Sequence, residues 1–422
     1  MGARRLLTAA ALSLVLFDVP AGADVIQANL EMVARSDLGA PTTFGDVTVV
    51  GTVAMVAVDG PGCAGAVRVV DVKDPAKPGV VASIALPAGS TAGDVDSLTV
   101  DAPVFTGDLL AVALAPCAGG PSPAVVHYDV TAPAAPRLVA ETAGATSVSL
   151  AQRGDGRVVA ARAMAAGVEI DDLTDPARPV VLGQWRGAGG AGGGGGACAA
   201  AQLYDSGDAA VAVLAGGPVY DLDLSDPRHP AAAGPAEGAG GPVGVLPLGN
   251  RTVAVVAEAA GCGAPAGEHG LRVLTLDRGV TPTEGPPIRY PGEHSAGRVV
   301  TSGALSYVAW HGAGLRVVDF GEVRARVVAQ FAPTAADVVG VGLLSEHVVV
   351  TDSASGLYVL KRPDEGGRRA TFWSQFVSLL PYLGFAGMLA AAFLLPRAVA
   401  SRAAARSGSR VPTPVTVPRR RA

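Results

Sequence analysis

The chain has 422 residues, is 49% hydrophobic and only 16% charged, and carries 56 Gly and 32 Pro. A chain of this size and turn content folds as several small domains or as one large closed one. The net charge of −5 is acidic, which argues against a nucleic-acid partner.

Residues 1–23 read as a secretory leader: Arg4 and Arg5, an apolar run Leu6–Phe17 too short to span a bilayer, and a small-x-small site at Ala21-Gly22-Ala23. One strand, Leu30–Ser36, follows without a partner of its own. The next stretch then repeats. VRVVDVKDPAKPGVVAS at Val67–Ser83 returns as VVHYDVTAPAAPRLVAE from Val125, VEIDDLTDPARPVVLGQ from Val168 and VYDLDLSDPRHPAAAGP from Val219. Looser copies start at Leu271, Leu315 and Leu357. Each copy is a β-branched run, a corner built on Pro with Asp or Ala before it, and a second apolar run. Pro fixes φ in the corner, and the Asp carboxylate can accept from the backbone just beyond it. The copies therefore predict antiparallel strand pairs.

With two further strands ahead of each copy, the unit has four strands and a period of roughly 40–60 residues, the pattern of a β-propeller. Units one to four and unit six supply strands A to D, counted from axis to rim; unit four, after the Gly tract 187–196, has a weak outer strand, and in unit five a Pro-rich stretch to Tyr290 follows strand C. Unit seven stops at LYVLK, one strand short. Leu30–Ser36 completes it, joining the two ends of the ring and removing an open sheet edge. The expected fold is all-β, a seven-bladed propeller closed by an N-terminal strand over residues 24–361. A six-bladed ring with unit four as an insertion is the alternative.

The copies resemble the LVIVD repeat, whose apolar run, Asp, two residues and Asp-Pro-x-x-Pro are matched by VRVVDVKDPAKP and VEIDDLTDPARP. The resemblance covers roughly residues 30–361 and is eroded in units five to seven. It implies an exported β-propeller and very little chemistry.

Beyond a linker at 362–375, Phe376–Pro396 is 21 residues without a charge, enough to cross a core of ~30 Å. Trp373 and Tyr382 are interfacial anchors, and residues 397–422 form a basic tail. The leader places the propeller outside the cell membrane, the tail in the cytoplasm and one helix between them. The short linker leaves from the end of strand C of unit seven, so that end of the propeller should lean toward the bilayer.

Strand alternation puts the D–A and B–C connections on one face, here called the top, and the Asp-Pro corners on the bottom. All four cysteines fall on the top in an oxidising compartment, pairing neighbouring units as Cys63–Cys117 and Cys198–Cys262. Asp46, Asp94 and Asp337 begin strand A of units one, two and seven, with Arg298 in the corresponding place in unit six. Three carboxylates at one side of a channel mouth could hold a calcium ion, or simply bond their own loops. His269, His294 and His311 sit on neighbouring top loops, where imidazoles serve as metal ligands, acid–base groups or solvated rim residues. No catalytic motif is present: no GxSxG, phosphate loop or HExxH. The expected function is a membrane-anchored extracytoplasmic binding or scaffolding module for a protein or small ligand. A metal-dependent, lactonase-like propeller hydrolase is the alternative.

Overall fold

The computed structural model describes residues 25–39, 42–164, 167–187, 198–214, 217–258, 269–289, 295–321 and 324–363. The expected leader at 1–23, the apolar run 376–396 and the basic tail lie outside these residues, as do Cys262 and His294. Among the described residues no helix is long and apolar enough to cross a membrane.

The described chain is a β-propeller of antiparallel strands. In unit one, Thr43–Val50, Val53–Gly60, Ala64–Asp71 and Gly79–Ala85 pair in sequence order. Units two and three repeat this order, and unit six does so with Arg326–Pro333 as its strand D. The weak units are weak where Pro and Ala replace β-branched residues. Strand D of unit four shrinks to two bridges, Val219 to Ala236 and Asp223 to Ala231. In unit five it breaks into Thr283–Glu284 and Ile288–Arg289.

The Asp-Pro corners form as their residues require. Asp71 Oδ1 accepts from Lys73 N at 2.8 Å, and Asp74 Oδ1 accepts from Ala76 N at 3.1 Å. The same two bonds recur at Asp172 and Asp175, and at Asp223 and Asp226. One carboxylate ends strand C and the next holds the turn, so spacing the two Asp three apart fixes the entry to strand D.

Packing runs around a circuit. Strand A of unit one packs on strand A of unit two, Ser90–Asp101, and the sequence continues through Ser147–Gln152, Ala200–Tyr204, Val243–Leu248 and Ala296–Ser302. It ends on Val338–Leu343, which packs back on unit one. The apolar core is divided in the same way, into clusters between adjacent units. The last of these joins Phe44, Val47 and Val56 of unit one to Val349 and Leu357 of unit seven. Strand B of unit one, VAMVAV, is buried on both faces because a neighbour covers each side.

Glu31–Ser36 pairs antiparallel with Gly356–Lys361, supplying the outer strand that unit seven lacks. The sequence predicts one strand ahead of unit one, but there are two. Val25–Ala28 pairs with the outer edge of Arg326–Pro333 in unit six. Asn29, at φ 56°, turns the chain from one unit to the next, and its amide donates to Val328 O at 2.7 Å. Asn tolerates this left-handed conformation because its side chain can bond locally.

Cys63 and Cys117 form a disulfide across the top of units one and two, with Cα atoms 6.5 Å apart. Cys198 is also disulfide-bonded; its expected partner, Cys262, is outside the described residues. Non-reducing peptide mapping should recover Cys63 and Cys117 in one linked pair. A free thiol at either position, or a link from either to Cys198, would contradict the structure.

Candidate functional site

A cavity of about 300 Å³ opens at the top of the channel and is lined from the first strands of all the units. Its charged residues arrive there through one local device. Strand A carries a β-bulge near its top end in units one, two, six and seven: between Phe44 and Val47, Ala92 and Asp94, Ala296 and Val299, and Val338 and Gly340. A bulge adds an unpaired residue and re-aims the side chains around it. Three of the four contain a glycine followed by a charged residue: Gly45-Asp46, Gly93-Asp94 and Gly297-Arg298. A Cβ on Gly45 or Gly93 would lie 3.2 Å from the methyl of Ala57 or Ala115 on strand B, and one on Gly297 would lie 3.2 Å from His311 Nε2. Glycine lets the bulge press against strand B while the next side chain enters the channel.

Asp46, Asp94 and Arg298 meet there. Arg298 Nη1 lies 2.6 Å from Asp94 Oδ1 and 3.2 Å from Asp46 Oδ2, and Nη2 donates to Val95 O at 3.1 Å. Arg298 thus reaches past unit seven, whose Gly340 lets its first strand lie close against that of unit one: a Cβ there would stand 3.0 Å from Asp46 Cα. Both carboxylates also accept backbone amides, Asp46 from Val47 at 2.8 Å and Asp94 from Val148 of unit three at 2.9 Å. Two residues further along strand A, Asp96 accepts from Leu150 N at 2.8 Å. Ser149 Oγ then accepts from Leu203 N of unit four at 3.1 Å. Innermost strands have no neighbour on their channel side, so side chains of adjacent units satisfy their amides.

One guanidinium therefore faces three carboxylates. Burial pushes the Asp46 carboxyl up to about 7, against the pull of Arg298 and with a further push from Asp94. Burial also raises Asp96, to about 6, again opposed by Arg298. Burial alone would lower Arg298, but the charges of Asp46, Asp94 and Asp96 hold it above the usual arginine value. Asp96 was not singled out from sequence, although its spacing from Asp94 puts both on one face of the strand.

Asp337 does not join this group. It precedes strand A of unit seven, whereas Asp46 and Asp94 lie inside theirs, and it pairs with His311 Nδ1 at 2.9 Å and Ser353 Oγ at 2.7 Å. Burial raises its carboxyl, but the Ser353 hydroxyl and His311 outweigh that and hold it below the usual range. His311 still lines the cavity, whereas His269 is buried beside strand C of unit five and is not among the lining residues. Among the described residues, no group of three or more His, Cys, Asp or Glu side chains is placed to hold a metal ion. Asp46 and Asp94 therefore share the Arg298 guanidinium, and Asp337 forms a separate pair with His311.

No family model matches the chain, and no curated protein matches it. Solved structures do match. One is the crystal structure of BamB from Moraxella catarrhalis, 13% identical, covering 75% of this chain and 84% of that one with a TM-score of 0.45.

Proposed function

We propose that the chain is an exported binding module: a seven-bladed propeller of LVIVD-like units, closed by Glu31–Ser36 and anchored by one membrane helix at 376–396. The closed packing circuit of strand A and the cluster joining units seven and one support the blade count. The leader pattern at 1–23 and the uncharged run at 376–396 support export and anchorage, with the tail in the cytoplasm.

The ligand site is the channel-mouth cavity, and its partner is the basic side chain of an extracytoplasmic protein. One observation carries this reading. A concave site fed by every unit holds more carboxylates than Arg298 can neutralise. A cavity of about 300 Å³ accommodates one Lys or Arg side chain or a small amine, at the lower end of ligand-site volumes. Calorimetric titration of the purified chain with Lys- and Arg-bearing peptides should give saturable binding. Replacing Asp46 and Asp94 together with Asn should weaken it at least about tenfold, as expected when a desolvated charge pair loses its acidic half. Binding that is unchanged in the folded double variant would move the site elsewhere.

A further inference from the structure

Every large hydrophobic side chain that is exposed among the described residues lies at the bottom. Val80, Val81, Leu138, Val180 and Val181 fall within the first three residues of strand D in units one to three. Met32 and Val327 hold the same place in units seven and six, while Val104 and Val280 sit in bottom turns of units two and five. None lies on the top, where the cavity opens. Isolated exposed apolar residues are ordinary, but their confinement to one end of the molecule is not.

The collar is also interleaved with cations. Lys77 precedes Val80, Arg137 precedes Leu138, Arg178 precedes Val180, Arg278 precedes Val280 and Arg326 precedes Val327, and each is paired with a carboxylate of the same face: Asp74, Asp129, Asp175, Asp205 and Asp319 in turn. Lys77 and Arg178 are each 84% exposed, so their ion pairs with Asp74 and Asp175 are held in water and readily exchanged for another anion. Apolar side chains beside long cationic ones are the composition of a surface seated at lipid headgroups.

The chain leaves the propeller at this same end. Arg362, just past the last strand, donates to Leu344 O and Ser345 O at 3.2 Å and to Ser302 Oγ at 2.7 Å, and stacks on the Tyr307 ring. These contacts fasten the exit to the bottom turns of units six and seven. Only residues 364–375 separate it from the apolar run at 376, a reach of at most ~43 Å when fully extended.

We infer that the bottom collar is a docking surface for the outer leaflet of the bilayer that the chain itself crosses, leaving the channel mouth facing away from the membrane. This rests on the anchorage proposed above. The test places the full chain in phosphatidylcholine–phosphatidylglycerol vesicles whose lipids carry a shallow nitroxide quencher. Single cysteines bearing a polarity-sensitive fluorophore replace Leu138, Val181 or, on the top, Ser122, all exposed positions whose labels leave the core intact. The Leu138 and Val181 labels should lose about half or more of their emission, as expected for groups at headgroup depth, and the Ser122 label should not change. Equal quenching at the three sites, or none, in a chain that resists alkaline extraction overturns the collar and leaves the anchorage standing. A chain stripped from the vesicles by alkali overturns the anchorage and the collar with it.

Discussion

Arg162→Met should destabilise the protein by roughly 3–5 kcal/mol, the cost of leaving a buried charge without its partner. Arg162 lies between units two and three, 2% exposed, with its Nε 2.5 Å from Oδ2 of Asp171, which is fully buried. Its other nitrogens donate to Asp171 Oδ1 at 3.2 Å, to Glu169 and to Ala143 O of unit two. Methionine fills much of the same space and supplies none of these donors, so Asp171 would have to be buried ionised and unpaired or take up a proton. Adding Asp171→Leu should recover part of the loss, because the fully buried charge is then gone and the carboxylate that remains, Glu169, is 19% exposed and can be solvated. His127 gives a local readout. Burial first, and then the positive charge of Arg162, push this imidazole down to about 4, so Arg162→Met should move its titration upward. A shift of the urea midpoint worth less than about 1 kcal/mol would mean that water reaches Asp171, contrary to its complete burial.

The repeat made most of the architecture legible. A corner such as Asp71-Val72-Lys73-Asp74-Pro75 specifies its own hydrogen bonds, so each strand C and strand D could be placed without tertiary information. The closing strand was legible for a negative reason: unit seven lacks an outer strand, and Leu30–Ser36 lacks a partner. Val25–Ala28 was not, because four residues carry little periodicity and nothing local selects the edge of unit six over any other. The Cys63–Cys117 bond followed from which loops share a face. At the channel mouth, the face was legible but the grouping was not. Asp46, Asp94 and Asp337 read alike as acids heading strand A, yet the first two sit in or beside a bulge and the third lies above its strand. The signal that separates them is the glycine before Asp46, Asp94 and Arg298, where Asp337 follows Ala336.

Stability should rise as pH is lowered from about 8 to about 5, the reverse of the usual acid response. Asp46 titrates near 7 in the folded protein and at 3.8 when unfolded. Between those values the folded chain holds a proton that the unfolded chain releases. Its stabilising contribution is therefore fully present below 3.8 and is lost as pH rises through 7. The loss amounts to at most ~1.4 kcal/mol per pH unit crossed. Asp96 and the buried Asp221, both pushed up to about 6 chiefly by burial, act in the same sense over a narrower window. His127 opposes them, because its depressed value near 4 makes acidification below 6.5 unfavourable. Below the ordinary carboxylate range Asp129 and Asp337, both lowered, withdraw their support as they protonate, so stability falls again. Urea midpoints should consequently peak near pH 4–5, and Asp46→Asn should raise the midpoint at pH 8 while flattening the slope between 5 and 7. A wild-type midpoint that falls steadily from pH 8 to pH 5 would contradict this. The same carboxyl ties stability to binding. Ionised Asp46 is a burden on the empty cavity and an attraction for a basic side chain. Peptide affinity should therefore climb by about tenfold as pH rises through 7, which is the effect of one pK unit of differential interaction. In Asp46→Asn the climb through pH 7 should be lost, leaving only the smaller change that Asp96 makes near 6.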